Sequence, residues 1–224
     1  LVSIAVVFGS EKYNHERAIG HKIGVEPVRG AMEVVGEEAM GCEKARSEKT
    51  RWSSLSPNQD DRPEGESISL IVIHGISLPP GEFGGPWIRQ LFTNTLGGTV
   101  HPYFETIAHL RVSAHALIRR DGAVERFVPL ARRAWHAGVS RFDGRERCND
   151  FSVGIELEGT EWVPYTAEQY QSLAAIVADL MTRYPKITEE RIVSHSEIAP
   201  GRKTDPGPSF DWGKFYRELA RRRG

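Results

Sequence analysis

The chain has 224 residues and a mass of 25.1 kDa, enough for one full hydrophobic core and short for two independent enzymatic domains. Its 29 Lys and Arg against 30 Asp and Glu leave a formal charge of −1, so it carries no electrostatic signature of nucleic-acid binding. No apolar run approaches the roughly 18 residues that span a bilayer, which excludes a transmembrane helix.

The five Trp, six Tyr and nine Phe are unevenly placed, with only Phe8 and Tyr13 in the first fifty residues. That stretch mixes Gly with charges (GEE at 36–38, EKAR at 43–46) and shows no sustained period. Residues 1–50 are therefore expected to be a weakly structured N-terminal extension and residues 51–224 the folded domain. The apolar start LVSIAVVF has no basic residue before it and no small-residue cleavage site, so a secretory leader is not expected. Two cysteines, Cys42 and Cys148, cannot build a disulfide framework and favour a reducing compartment.

After a turn-rich entry at 53–63, residues 69–74 (SLIVIH) read as a buried strand that ends on His74 and is stopped by Gly75 and then Pro79-Pro80-Gly81. A helix starts near Pro86 and puts Ile88, Leu91 and Phe92 on one face. Residues 114–119 and 124–128 form a hairpin around Asp121-Gly122. Residues 152–158 alternate strictly, with Val153, Ile155 and Leu157 on one face and Ser152, Gly154, Glu156 and Glu158 on the other. A long helix is predicted over 166–184, where Thr166 and Gln169 have capping-box spacing and Pro185 stops the run. Residues 191–194 form a short strand delivering His195, followed by a Pro/Gly-rich loop at 198–208 and a terminal helix at 211–223. Strands interleaved with helices give an α/β (α+β) fold, a single mixed sheet flanked by helices.

His74 and His195 share a situation: each ends a short apolar strand just before an irregular loop, where side chains project into a cleft. Asp205 follows ten residues after His195. Two imidazoles and a carboxylate leave a zinc ion an open position for water, the arrangement of a hydrolytic site, although two strand-terminal histidines are by themselves equally at home as structural residues. Lys203, two residues before Asp205, would face the same way in an extended loop and could donate to an oxyanion. Either Glu156 or Glu158 could be the general base, since both lie on the polar face of their strand. His115 and His136 divide between packing or hydrogen bonding to a neighbouring functional side chain on one hand and substrate contact on the other, and Arg111, Arg145 and Arg147 between surface ion pairs and a bidentate grip on a carboxylate.

Several motifs in order extend this reading. VIHGISLPPGEFGG at 72–85, RVSAH at 111–115, RAWHAG at 133–138, GRERCNDF at 144–151, GIELEG at 154–159 and the stretch 195–208 together resemble the AmpD-type zinc amidases of cell-wall recycling, over about residues 53–218. The resemblance implies the mixed sheet and flanking helices shared with phage-type lysozymes and peptidoglycan recognition proteins. It implies that His74, His195 and Asp205 bind one Zn²⁺, that Glu156 activates water with Glu158 as its competitor, and that Lys203 stabilises the tetrahedral intermediate. The implied substrate is a 1,6-anhydro-muropeptide, cut between the lactyl group of N-acetylmuramic acid and L-alanine in the cytoplasm, with Arg111 and Arg147 as clamps for peptide or sugar. A monomer is expected, with no nucleic-acid or membrane partner. The alternatives are a non-catalytic peptidoglycan-binding module and a periplasmic amidase acting on intact murein. Two departures stand out: Gly75 replaces the Asn expected after the first zinc histidine, which removes an amide contact to substrate, and Ala116 replaces a Cys.

Overall fold

The computed structural model describes residues 54–224, so the proposed extension at 1–50, with Cys42 and the apolar start, lies outside the described residues. The central sheet has strand order β4-β3-β8-β2-β9. Its strands are β2 Leu70–Ile76, β3 Ala116–Ile118, β4 Val124–Arg126, β8 Ser152–Glu158 and β9 Ile192–Ser194. β3, β8, β2 and β9 run parallel, and β4 pairs antiparallel with β3 as the edge, so the sheet is mixed as expected. Two small ribbons lie outside it, β1 Gln59–Asp61 with β5 Arg132–Ala134, and β6 Arg141–Phe142 with β7 Arg145–Glu146.

Period-2 alternation assigns the faces of the two central strands. Ile71 and Ile73 of β2 and Val153, Ile155 and Leu157 of β8 pack against α3 Ala167–Arg183 and α5 Trp212–Arg223, through Leu173, Val177, Leu180, Phe215 and Leu219. On the opposite face, one region is filled by Leu70, Val72, Phe151, Val193 and Ile198, with the buried thiol of Cys148. A second is covered by α1 Trp87–Phe92 and α2 Pro102–Ile107, which bury Leu91, Phe92, Phe104 and Ile107 against Leu117 and Phe127. The polar positions of β8 share this second face, and all seven residues of the strand are buried, so Glu156 and Glu158 are enclosed rather than solvated.

Local signals match the structure where the sequence is explicit. Thr166 caps α3 through a complete capping box with Gln169. The hairpin turns at Gly122 with φ +83°, a conformation that favours Gly. Asp211 caps α5 at its N-terminus. Two boundaries differ. β2 runs on through Gly75 and Ile76, which pair with Leu157 and Glu158, so His74 lies inside the strand instead of ending it. His195 opens a short helix, α4 His195–Ile198, in which Ser194 and Glu197 form a second capping box.

Candidate metal centre

Parallel pairing sets the first distances. His74 of β2 is in register with Glu156 of β8, while β9 pairs with β2 and hands the chain to His195 at the start of α4. The following loop folds back on that helix: Arg202 and Lys203 donate their backbone N–H groups to Ala199 O, and Ser196 N–H donates to Asp205 O at 3.1 Å. The loop is thus turned rather than extended, yet Lys203 and Asp205 still line the same cavity.

His74 Nδ1 lies 2.9 Å from His195 Nδ1 and 3.3 Å from Asp205 Oδ2, and His195 Nδ1 lies 3.1 Å from that oxygen. Among the described residues, these three form the group able to hold a metal ion. A tetrahedral zinc with ligands at about 2.0–2.1 Å needs its donor atoms about 3.3 Å apart. The observed triangle has nearly that size, and two nitrogens with one carboxylate oxygen are a donor set zinc accepts. The residues therefore fit the group.

Burial dominates the electrostatics of the cluster. Burial, followed by the neighbouring His195, holds the His74 imidazole down at about 4 from its ordinary 6.5. For Asp205 burial acts upward, but hydrogen bonds with His195 and His74 outweigh it and keep the carboxyl well below the usual carboxylate range. Burial and then the Asp205 charge push Glu156 well above its ordinary value. Among the described residues, Glu156 Oε2 is the one buried side-chain polar atom without a hydrogen-bond partner. Burial also lowers the Lys203 ammonium.

These groups stand in a cavity of about 440 Å³ lined by His74, Glu156, His195, Lys203, Asp205 and Arg111, with Trp135, Val112 and Val139 as apolar wall. Two expected residues are elsewhere. Glu158 accepts from Arg119 Nη1 at 2.9 Å and from Gly84 N–H at 2.8 Å, and it does not line the cavity that holds the cluster. Arg147 is exposed, lies 3.3 Å from Asp150, and lines a neighbouring groove that shares Gly138, Val139 and Arg202 with the cavity. His136 sits directly behind His74, with its Nδ1 2.9 Å from His74 Nε2. His115 is one layer further, its ring centroid 5.8 Å from that of His136. Gly75 admits the hydroxyl of Tyr165: a Cβ there would lie 2.4 Å from Tyr165 Oη.

Two imidazoles and a carboxylate that could hold a metal ion, lining one cavity with a buried glutamate whose Oε2 has no partner, form an arrangement suited to hydrolysis. Residues 64–208 match the profile of the N-acetylmuramoyl-L-alanine amidases, and the chain belongs to that family. The 1,6-anhydro-N-acetylmuramyl-L-alanine amidase AmpD of Citrobacter freundii is 64% identical over 160 residues, covering 71% of this chain and 85% of that protein. A crystal structure of a selenomethionine AmpD derivative superposes with a TM-score of 0.73 at 60% identity, over 76% of this chain and 95% of that one. The amidase AmiD from E. coli, in complex with anhydro-N-acetylmuramic acid-L-Ala-D-gamma-Glu-L-Lys, superposes with a TM-score of 0.52 at 28% identity, over 70% of this chain and 60% of that one.

Proposed function

We propose that this chain is a zinc-dependent amidase that hydrolyses the bond between 1,6-anhydro-N-acetylmuramic acid and the L-alanine of muropeptides, in the cytoplasmic recycling of peptidoglycan. The observation that carries the reading is the His74–His195–Asp205 triangle beside the unpartnered Glu156 carboxylate. High identity to AmpD amidases supports the substrate class, the recycling role and the compartment. Among the described residues, no helix is long and apolar enough to cross a membrane.

His74, His195 and Asp205 would hold the ion, and when bound zinc supplies a Lewis acid that lowers the pKa of water toward about 7. Glu156 takes a proton from the attacking water as the C–O bond forms at the lactyl carbonyl, a transfer favoured by a carboxyl whose pKa burial raises well above its ordinary value. Lys203 donates to the oxyanion that develops on the former carbonyl. As the C–N bond breaks, Glu156 returns the proton to the alanine nitrogen, leaving a muramic acid carboxylate and a free peptide amine. Arg111, in the cavity wall, would grip the substrate near the scissile bond, and Arg147, in the adjoining groove, a more distant part. The catalytic unit would be residues 51–224, with residues 1–50 an extension dispensable for turnover.

Metal analysis together with hydrolysis of an anhydro-muropeptide tests this. Wild type and Glu156→Gln are expected to carry about one zinc each, with turnover lower by about 10²–10⁴-fold in the variant, while Asp205→Ala loses the metal. Zinc-loaded wild-type protein that releases no peptide would leave a binding module instead. Deleting residues 1–45 is expected to leave metal content and turnover unchanged.

A further inference from the structure

Each imidazole of the cluster has an outer nitrogen, and both outer nitrogens face one short segment, residues 135–138, directly after β5. His74 Nε2 is 2.9 Å from His136 Nδ1, and His195 Nε2 is 3.2 Å from Ala137 O. His136 Nε2 in turn lies 3.1 Å from Ser152 Oγ. Side chains hold the segment from behind: His136 and Ala137 both donate their backbone N–H groups to Asn149 Oδ1, at 3.2 and 2.8 Å, and Arg202 Nη2 donates to Ala137 O at 2.6 Å.

One set of proton positions satisfies all of these contacts. A carbonyl only accepts, so His195 Nε2 carries the proton and its Nδ1 lone pair is free for a metal. His74 offers Nδ1 to the same point only with its proton on Nε2, donated to His136 Nδ1. That leaves the His136 proton on Nε2, directed at Ser152 Oγ. The strand leaves room for this ring: a Cβ at Gly154, in the middle of β8, would lie 2.3 Å from His136 Cγ. Glycine within a strand marks close approach by another group, and here the group is His136.

We propose that the 135–138 segment is the orienting element of the metal site. His136, braced by Ser152, and the Ala137 carbonyl, both pinned by Asn149, fix the ring planes and tautomers of His74 and His195 so that the two histidines present bare Nδ1 atoms together. His136 and Asn149 are positioning residues that act through the ligands. The proposal rests on the zinc reading above, and outer partners of this kind govern metal affinity by about 10–100-fold.

The test uses the full chain. Zinc affinity is measured by chelator competition, folding by thermal melting of metal-free protein, and proton positions by nitrogen NMR of ¹⁵N-histidine-labelled, zinc-loaded protein. His136→Phe keeps a planar ring without its nitrogens and is expected to weaken zinc binding by about 10–100-fold while still melting cooperatively. His136→Gln, which keeps an acceptor, should recover part of that loss, and Asn149→Ala should weaken binding because both rings are released. The NMR spectrum should show His74, His136 and His195 all protonated at Nε2. Should His136→Phe fail to fold, Ser152→Ala removes only the far end of the relay; a smaller loss of affinity and an altered His136 tautomer are then expected. A folded His136→Phe with zinc affinity within about two-fold of wild type would overturn the proposal and leave the zinc assignment standing. So would a Ser152→Ala protein unchanged in both affinity and tautomer. Wild-type protein that binds no zinc would overturn both.

Discussion

His115 gives the sharpest physical prediction outside the His74–His195–Asp205 cluster. It is buried immediately before β3, where Gly154 N–H donates to its Nδ1 at 3.0 Å, so the ring proton is on Nε2, 3.3 Å from the Arg132 carbonyl. The Arg62 guanidinium lies 3.1 Å from that same nitrogen and is held there by the carbonyls of Leu130, Asn149, Asp150 and Ser152. A second proton would point Nδ1 at a donor and set a cation beside Arg62. Burial, then the Arg62 charge, accordingly hold the imidazole at about 3 instead of 6.5. The folded pKa is depressed for a base, so between these values the unfolded chain binds the extra proton and stability falls as pH falls. The loss begins below about pH 6.5 and is complete near pH 3. At about 1.4 kcal/mol per pKa unit the full effect is of order 5 kcal/mol, of which about 2 kcal/mol falls between pH 7 and pH 5. His115→Asn keeps an acceptor for Gly154 N–H and cannot be protonated. Urea unfolding of wild type and variant at pH 7, 6 and 5, at equal metal content, should show their stability difference shrinking by about 2 kcal/mol over that range. Parallel pH profiles for the two proteins would refute the reasoning.

Glu158→Gln should behave oppositely to Glu156→Gln: losing one of the two buried carboxylates paired with Arg119 costs about 2–3 kcal/mol in unfolding free energy, while the folded enzyme keeps turnover close to wild type. Gly75→Ala drives a Cβ to within 2.4 Å of Tyr165 Oη and 3.3 Å of Pro206 Cα, so it should destabilise by about 1–3 kcal/mol. Tyr165→Phe removes the clashing oxygen, and a double-mutant cycle should find the pair less destabilised than the sum of the singles. Thr166→Ala breaks the α3 capping box and should cost about 0.5–2 kcal/mol, read as a lower melting temperature.

What the sequence made legible was what neighbours in the chain determine. α3 carried its own period and cap, the hairpin its Asp-Gly turn, and β8 its alternation. The six-residue α2 and the ribbons β1–β5 and β6–β7 were not read, because a single turn of helix and strands of two or three residues carry no period and are set by distant partners. Alternation placed Glu156 and Glu158 on one face and could not separate them. Register did so, putting Glu156 beside His74 and Glu158 beside Ile76, within reach of Arg119 and Gly84. Two local signals in the chain bear on the site. Ser194 and Glu197 have the same capping spacing as Thr166 and Gln169, which makes His195 the first residue of a helix. Gly154 interrupts the polar face of β8 at the position where His136 packs.

The site itself follows from strand direction. In a parallel sheet the carboxyl ends of neighbouring strands open on the same side, and chemistry collects there. β2 and β8 bring His74 and Glu156 to that side in adjacent register, and β9 ends one residue before His195. One end of the sheet therefore carries both imidazoles and the buried carboxylate, His74 and Glu156 within β2 and β8 and His195 just past β9, and the loop after α4 returns Asp205 and Lys203 to them. This geometry explains why two histidines 121 positions apart in sequence meet without a local motif. It also explains why Gly75 matters: β2 continues past His74, and a side chain there would meet Tyr165, whose hydroxyl donates to Pro206 O next to Asp205. A substitution at residue 75 is thus expected to act first on the carboxylate arm of the site, and only through it on the two histidines.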